Sequence, residues 1–308
     1  MKEFIKNNYA WIIFLVLVSA GSLAANYINH RLDMVDLEVY YKAADRMLGG
    51  EELYRGVEED PFEHYVYKYS PPAALLFVPL LPFGFSAAKL IYWLILTILL
   101  GSTLNNLRYL FAGDKSVNKL ITGSIILAII IVGTHFFREL ELGQVNLLML
   151  AFYVFALRFM SNNKAVAAAA LLSISIFIKP FALIFIPLLI LYGKFKELAY
   201  FLGFSLLFLF IPMIFYTDTN IYWGLYTSWF QELGIELSNK QDLLAEGNHT
   251  IFSVLARYSP ISGITLSDTG RYLYQIIVLG LIAFLFLWHI YKRKVEDGLP
   301  SIELGSTS

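Results

Sequence analysis

The sequence contains no cysteine. Disulfides, thiolate metal sites and a cysteine nucleophile are therefore excluded. Charge is scarce as well. Asp, Glu, Lys and Arg make up 15% of the residues, against roughly 25% in soluble domains, which excludes a soluble globule and a charge-rich disordered chain. The net charge of −1 leaves no basic excess, so the electrostatic footprint of a nucleic-acid binder is missing. The histidines, His30, His64, His135, His249 and His289, are dispersed, with no HExxH and no paired carboxylate–histidine spacing. Internal repeats are absent too, which disfavours a transporter built from inverted halves.

What the sequence has in abundance is apolar and aromatic surface. Hydrophobic residues are 58% and mean hydropathy is +0.62, against roughly 45–50% apolar residues in ordinary domains. There are 25 Phe, 20 Tyr and 5 Trp, rings that fill helix interfaces and anchor at headgroup depth. A bilayer core of about 30 Å takes about 20 apolar residues per helix. Candidate runs cover 10–28, 71–111, 119–134, 143–160, 165–192, 197–216 and 271–291. The first follows MKEFIK and lacks a small-residue cleavage site, so it reads as a retained span rather than a signal peptide. Two long polar stretches, 29–70 and 217–270, lie outside the lipid or line a cavity.

Lys and Arg set the orientation. Lys2 and Lys6 precede the first run, which places the N-terminus in the cytoplasm. Arg108, Lys115 and Lys119 form one basic turn, Arg158 and Lys164 another, Lys194 and Lys196 a third, and Lys292, Arg293 and Lys294 follow the last run. All are cytoplasmic if 71–111 crosses once and 165–192 crosses twice. The prolines of PPAALLFVPLLPF suit a short kinked interfacial piece, with the true span at 86–110. Lys179-Pro180 sits midway in 165–192. Two helices of about 14 residues, rising about 21 Å each, would turn there and leave a basic group at membrane depth; one long bent helix is the rival. The expectation is an all-α polytopic membrane protein of about eight transmembrane helices, or nine if 71–111 crosses twice. Both large loops then fall on the extracytoplasmic side. The first carries ten acidic against five basic residues, the balance the charge rule tolerates outside. Residues 1–294 read as one transmembrane domain, and 295–308 as a polar cytoplasmic tail.

The segment LDMVDLEVYYKAADRMLGGEELY, 32–54, carries the sharpest pattern. Its apolar spacing from Val35 to Leu48 fits an amphipathic helix lying along the interface, stopped by Gly49-Gly50. Asp36 at its start reads either as an N-cap or as a general base beside an apolar chamber. Asp33 is its neighbour nearer the span, and the acids from Glu51 to Asp60 read as a solvated face. Lys179 inside an apolar run is costly, at about 2.5–3.5 kcal/mol on insertion scales, and such residues are usually functional or paired; the alternative is a snorkelling helix-end lysine. Gln144 and Asn146 open a helix and read equally as capping groups. Arg138, Glu139 and Glu141 read as local ion pairs, and Tyr40, Tyr41 and Tyr69 as interfacial rings that can stack on sugar or lipid.

The run Asp36-x-x-Val39-Tyr40-Tyr41-x-Ala43-Ala44, then Leu48-x-Gly50-x-x-Leu53-Tyr54, resembles the first-loop signature of glycosyltransferase family 87. Tyr67-Lys68-Tyr69-Ser70-Pro71-Pro72 followed by LLFVPL resembles that family's tyrosine–double-proline segment. Gly143-Gln144-Val145-Asn146 followed by LLML is similar to its Gly-Gln-x-Asn helix start. Lys179-Pro180 and Gly247-Asn248-His249-Thr250, with Arg257 shortly after, resemble two later landmarks. The landmarks keep their order from 33 to 260.

The resemblance implies a GT-C-like bundle with large loops after its first and seventh spans. It implies transfer of a sugar, mannose by analogy, from a polyprenyl-phosphate donor to a glycolipid or glycan acceptor hydroxyl on the extracytoplasmic side. One displacement inverts the anomeric centre, so one carboxylate suffices, unlike the carboxylate pair of retaining glycosidases. Asp36 falls at the base position. Lys179, Arg257 and His249 fall where the donor phosphate would be held, and His249 is open to orienting Asp36 or binding the acceptor instead. Asn248, Tyr40, Tyr41, Gln144 and Asn146 fall where sugar or acceptor would bind. No cofactor is required, although a divalent ion bridging the Asp36 region and the phosphate is compatible. A transporter or flippase of lipid-linked sugars is the rival function.

Overall fold

The computed structural model describes residues 19–21, 23–29, 32–54, 66–111, 127, 133, 135–238, 251–258 and 267–296. Among them every regular element is a helix. The chain divides into two compact units, Met1–Leu233 and Gly234–Ser308.

In the first unit, α1 (Val35–Gly49) is the amphipathic helix expected from the sequence, with Leu37, Tyr40, Ala43, Ala44 and Met47 on its buried face. Gly50 ends it in a left-handed turn at φ 69°, a conformation cheap only for glycine. The N-cap expectation for Asp36 fails. The cap is Met34, which has no side-chain acceptor, and Asp36 is the second residue inside the helix. The proline-rich stretch breaks as expected into α2 (Pro71–Ala74), a turn, and a 3-10 segment at Val78–Phe83. The long helix α3 (Gly84–Phe111) follows.

Next come α4 (His135–Leu142) and α5 (Asn146–Ser161), which meet at an angle of 113°. Gly143, at φ 70°, forms the corner. Its N–H and that of Gln144 both reach back to the Glu139 carbonyl, at 2.9 and 3.0 Å, the bonding that closes a helix on a left-handed residue. The Tyr92 hydroxyl donates to the Gln144 carbonyl and the Arg158 guanidinium lies over the Tyr109 ring. These two contacts, at opposite ends, set α3 and α5 parallel.

α6 (Ala165–Ile178) returns antiparallel to α5 after a short turn. Lys179 is extended, a 3-10 segment covers Pro180–Ile184, and α7 (Phe185–Leu191) leads to α8 (Phe195–Phe210). The Ser173 hydroxyl contacts the Phe201 carbonyl at 2.8 Å, and Phe177 meets Phe208 edge-on, so α6 and α8 run the same way. Leu189 of α7 shares one buried cluster with Ala168, Ala169 and Leu172 of α6 and Phe201 of α8. The chain therefore doubles back at Lys179, and the single bent helix is overturned. Proline supplies the reason. Pro180 has no N–H for the Ile176 carbonyl, and its ring opposes continuing the helix.

Among the described residues two helical stretches are long and apolar enough to cross a bilayer, Pro71–Leu110 and Phe195–Ile214, with a third if the bent pair α4–α5 counts as one. Exposed Leu94, Ile98, Leu202, Leu206 and Leu207 clothe α3 and α8. Apolar area of this extent needs lipid to cover it, and the protein is an all-α membrane protein. The expected run at 119–134 lies largely outside the described residues.

The second polar stretch opens with a helix, α9 (Thr219–Ser238). Tyr222 and Tyr226 fold back to donate to the Leu209 carbonyl at the end of α8. The two polar stretches meet where Trp229 donates to the Lys68 carbonyl at 3.2 Å, and Tyr216, the last residue of the preceding apolar run, donates to the Glu51 carbonyl at 2.6 Å. In the second unit, α10 (Ile251–Tyr258) and α11 (Asp268–Glu296) touch through Phe252 and Tyr274.

The corner at Gly143 is tight. A Cβ there would lie 2.7 Å from the Leu37 Cβ and 3.2 Å from the Met34 Cβ. Gly143→Ala is expected to cost about 2–4 kcal/mol through clash and left-handed strain, seen as a lower unfolding midpoint in detergent. Gly224→Ala, in α9 with open space around it, is the control expected to leave the midpoint unchanged or raised.

Candidate active site

The site assembles where α1 crosses the α4–α5 corner. Met34 holds a left-handed conformation at φ 49° while wholly buried, and its N–H donates to the Glu141 carbonyl at 3.2 Å. Burial and that bond together hold a backbone state that costs a non-glycine residue of order 1 kcal/mol or more. Two residues on, Asp36 is half-buried. Among the described residues nothing hydrogen-bonds its carboxylate. Its charge acts on Tyr40, Tyr69 and Tyr92 and on Lys179.

Below Asp36 is an aromatic wall. Tyr40, one turn further along α1, shares a hydrogen bond of 3.2 Å with the Tyr69 hydroxyl and packs on Phe77, which packs on Tyr92. Burial pushes the Tyr40 hydroxyl well above the ordinary tyrosine range, with Tyr69 adding to the effect, and burial raises Tyr69 as well. Both stay protonated at working pH and serve as hydrogen-bond donors, not bases. Tyr41, expected beside them, turns away: its hydroxyl donates to the Leu81 carbonyl and its ring meets Phe85. It fastens α1 to the proline-rich segment.

On the other side, Glu139 departs from the expected ion pair. One of its oxygens accepts from the Asn146 side-chain amide at 2.5 Å and the other from the Leu147 N–H at 3.2 Å. Asn146 is exposed; its amide nitrogen also donates to Gln144 Oε1 at 2.9 Å, and its oxygen accepts from Lys179 Nζ at 2.7 Å. Lys179 thus returns from the α6 break to the α5 start. The break is held by Ser70, which is fully buried. Its N–H and hydroxyl both donate to the Phe177 carbonyl, at 3.2 and 2.6 Å.

Of the residues expected from the sequence, the fold thus brings together Asp36, Tyr40, Gln144, Asn146 and Lys179. Asn248 and His249 lie outside the described residues, and Arg257 is on α10 of the second unit. Glu139, Tyr92 and Ser70 are not among the site residues expected from the sequence. Glu139 looked like one member of a charged triplet, and nothing local marks it as the partner of an amide beyond a glycine corner. Among the described residues no three His, Asp or Glu side chains gather at metal-ligating spacing.

The comparison with known families bears on this group directly. The model of glycosyltransferase family 87 matches residues 67–307, well over half of the chain. The chain belongs to glycosyltransferase family 87. No curated protein and no solved structure matches it. Membership makes the protein a membrane glycosyltransferase, with a sugar donor and an acceptor. The family match takes in the tyrosine–double-proline segment, the Gly-Gln-Val-Asn corner and Lys179-Pro180. It begins after α1, so Asp36 joins the matched elements through the fold, by way of its neighbours Met34 and Leu37, which pack on the Gly143 corner.

Removing the Ser70 hydroxyl leaves the Phe177 carbonyl with one donor. Ser70→Ala is expected to cost about 1 kcal/mol, the net worth of one hydrogen bond, read as a lower thermal midpoint. It is also expected to increase proteolytic nicking at Lys179.

Proposed function

We propose that the protein is an inverting glycosyltransferase in which Asp36 is the general base. On this reading the donor is a polyprenyl-phosphate sugar, mannose by family resemblance, and the acceptor is a hydroxyl of a glycolipid or glycan. The observation that carries the proposal is the Asp36 carboxylate, half-buried and without a hydrogen-bond partner among the described residues, within electrostatic reach of Lys179. Other candidates are committed elsewhere. Tyr40 and Tyr69 stay protonated, and both oxygens of Glu139 are occupied.

In the reaction, Asp36 takes the proton of the acceptor hydroxyl as its oxygen bonds to the anomeric carbon. The bond from that carbon to the phosphate oxygen breaks on the opposite face, and the electron pair leaves with the polyprenyl phosphate. Negative charge grows on the phosphate, and Lys179 stabilises it as a cation placed before the reaction begins. The Lys ammonium has three donors and Asn146 engages one, which leaves capacity for phosphate oxygens. Tyr69, half-buried and backed by the buried Tyr40, is the ring against which a sugar can lie. The contact between the first and second polar stretches supports placing both on one side of the membrane, the extracytoplasmic side on the charge rule. By resemblance, His249 and Arg257 would serve the donor phosphate and Asn248 the sugar or acceptor. Family membership disfavours the transporter reading.

Asp36→Asn is expected to reduce transfer by about 10²–10⁴-fold without changing the unfolding midpoint, measured as radiolabelled sugar moved from polyprenyl-phosphate mannose by purified protein. Retention of full activity in Asp36→Asn sinks the base assignment. Lys179→Met is expected to raise the donor KM and lower kcat together, since the same cation serves the ground state and the transition state.

A further inference from the structure

Lys179 does not stand alone, and what holds it is unusual for a cation at an apolar break. A carboxylate placed directly on the ammonium would fix it but cancel its charge. Here the carboxylate is one residue removed. Glu139 accepts from Asn146, and Asn146 in turn accepts from Lys179. An ionised carboxylate only accepts, whereas an amide has one accepting and one donating end. Glu139 therefore decides which way the Asn146 amide faces: nitrogen toward Glu139 and Gln144, oxygen toward Lys179. With the amide reversed, its NH2 would point at the ammonium and push it away. The second Glu139 oxygen accepts from the Leu147 N–H at the start of α5, which helps hold the carboxylate off Lys179.

We infer that Glu139 is a positioning residue, which polarises Asn146 so that Lys179 is held in place while keeping a charge available to a phosphate. The inference rests on the reading of Lys179 as the donor-phosphate cation. It makes a prediction opposite in sign to simple electrostatics. Glu139 is a negative charge near a proposed anion site, so removing it should tighten anion binding if the charge acts only through space. If Glu139 positions Lys179, removing its charge weakens anion binding.

The test measures the affinity of the full-length protein in detergent for undecaprenyl phosphate, with undecaprenol as the uncharged probe of the same chain length. Lys179→Met is expected to abolish the preference for the phosphate over the alcohol. Glu139→Gln, nearly isosteric, is expected to bind the phosphate about 3–10-fold more weakly, the size of one hydrogen bond's net effect, with the alcohol unchanged. Asn146→Asp should weaken the phosphate likewise, because a carboxylate then sits on Lys179. In Glu139→Gln/Asn146→Asp the hydrogen bonds re-form with reversed polarity, yet the phosphate should remain weakly bound because the lysine is neutralised. A Glu139→Gln protein that binds the phosphate as well as or better than wild type overturns the inference, as does wild-type affinity in the double variant. Equal loss for phosphate and alcohol marks a purely structural role and also overturns it. If Glu139→Gln does not fold, Asn146→Asp alone decides: unchanged phosphate affinity there overturns the inference. Unchanged phosphate preference in Lys179→Met sinks the underlying reading of Lys179, an outcome distinct from failure at Glu139 alone.

Discussion

The carbonyl of Phe177 is the hinge on which the site depends. In a continuous helix it would accept the N–H of residue 181, but the chain turns at Lys179-Pro180 and that donor is lost. An unsatisfied carbonyl among apolar helices costs several kcal/mol. Ser70 answers with two donors, its backbone N–H and its hydroxyl. A segment following the first polar stretch is thereby bound to the break that presents Lys179. The two irregular pieces brace each other: Ser70 satisfies the carbonyl at the break, and the proline-rich segment gains a fixed partner. Tyr67 and Tyr54 reinforce the arrangement by donating to the Ser70 and Tyr69 carbonyls.

A second junction does the same for the carboxylate side. Met34 and Gly143 are both left-handed and face each other with no room for another carbon. Glycine at the corner lets α1 approach closely enough for Leu37 to seat over it. The reversal of direction between α4 and α5 then turns Glu139 and Asn146 toward the same volume as Asp36. Two backbone corners, one tolerated by glycine and one enforced on methionine by burial, thus bring the first-loop helix to the Gly-Gln-Val-Asn motif. Strain of this kind persists only where surrounding packing over-determines it, and here it coincides with the convergence of the charged groups.

Much of this was legible in the sequence because it follows from local chemistry. The apolar spacing from Val35 to Leu48 and the double glycine after it marked α1 with its end. The prolines marked the kinked entry to α3. The conflict between the charge rule and a single helix over 165–192 marked the reversal at Lys179. What could not be read was set by partners distant in the chain. Asp36 looked like a cap because helix starts favour acidic side chains, yet the backbone enters through Met34. Asn146 looked like the first residue of a span, but α4 precedes it at a sharp angle, and only that angle makes Glu139 its partner. In the polar stretch after 217, Asp218 caps the start of α9 locally, but the docking of that helix through Tyr222 and Tyr226 on the Leu209 carbonyl has no local signature.

On the proposed reading, the arrangement separates two tasks that compete in transfer from a lipid phosphate. A base must be ionised and unencumbered, while a cation for the leaving group must be anchored in an apolar setting. Placed in direct contact, Asp36 and Lys179 would neutralise each other and neither task would be served. The fold avoids this by giving Lys179 a neutral amide as its hydrogen-bonding partner and leaving Asp36 without one among the described residues. The compensating negative charge sits on Glu139, behind the amide. The tyrosine pair contributes by staying protonated: with Tyr40 and Tyr69 raised by burial, neither competes with Asp36 as a base. The site is therefore organised by what is kept apart, with the amide of Asn146 as the spacer between the Glu139 carboxylate and the Lys179 ammonium.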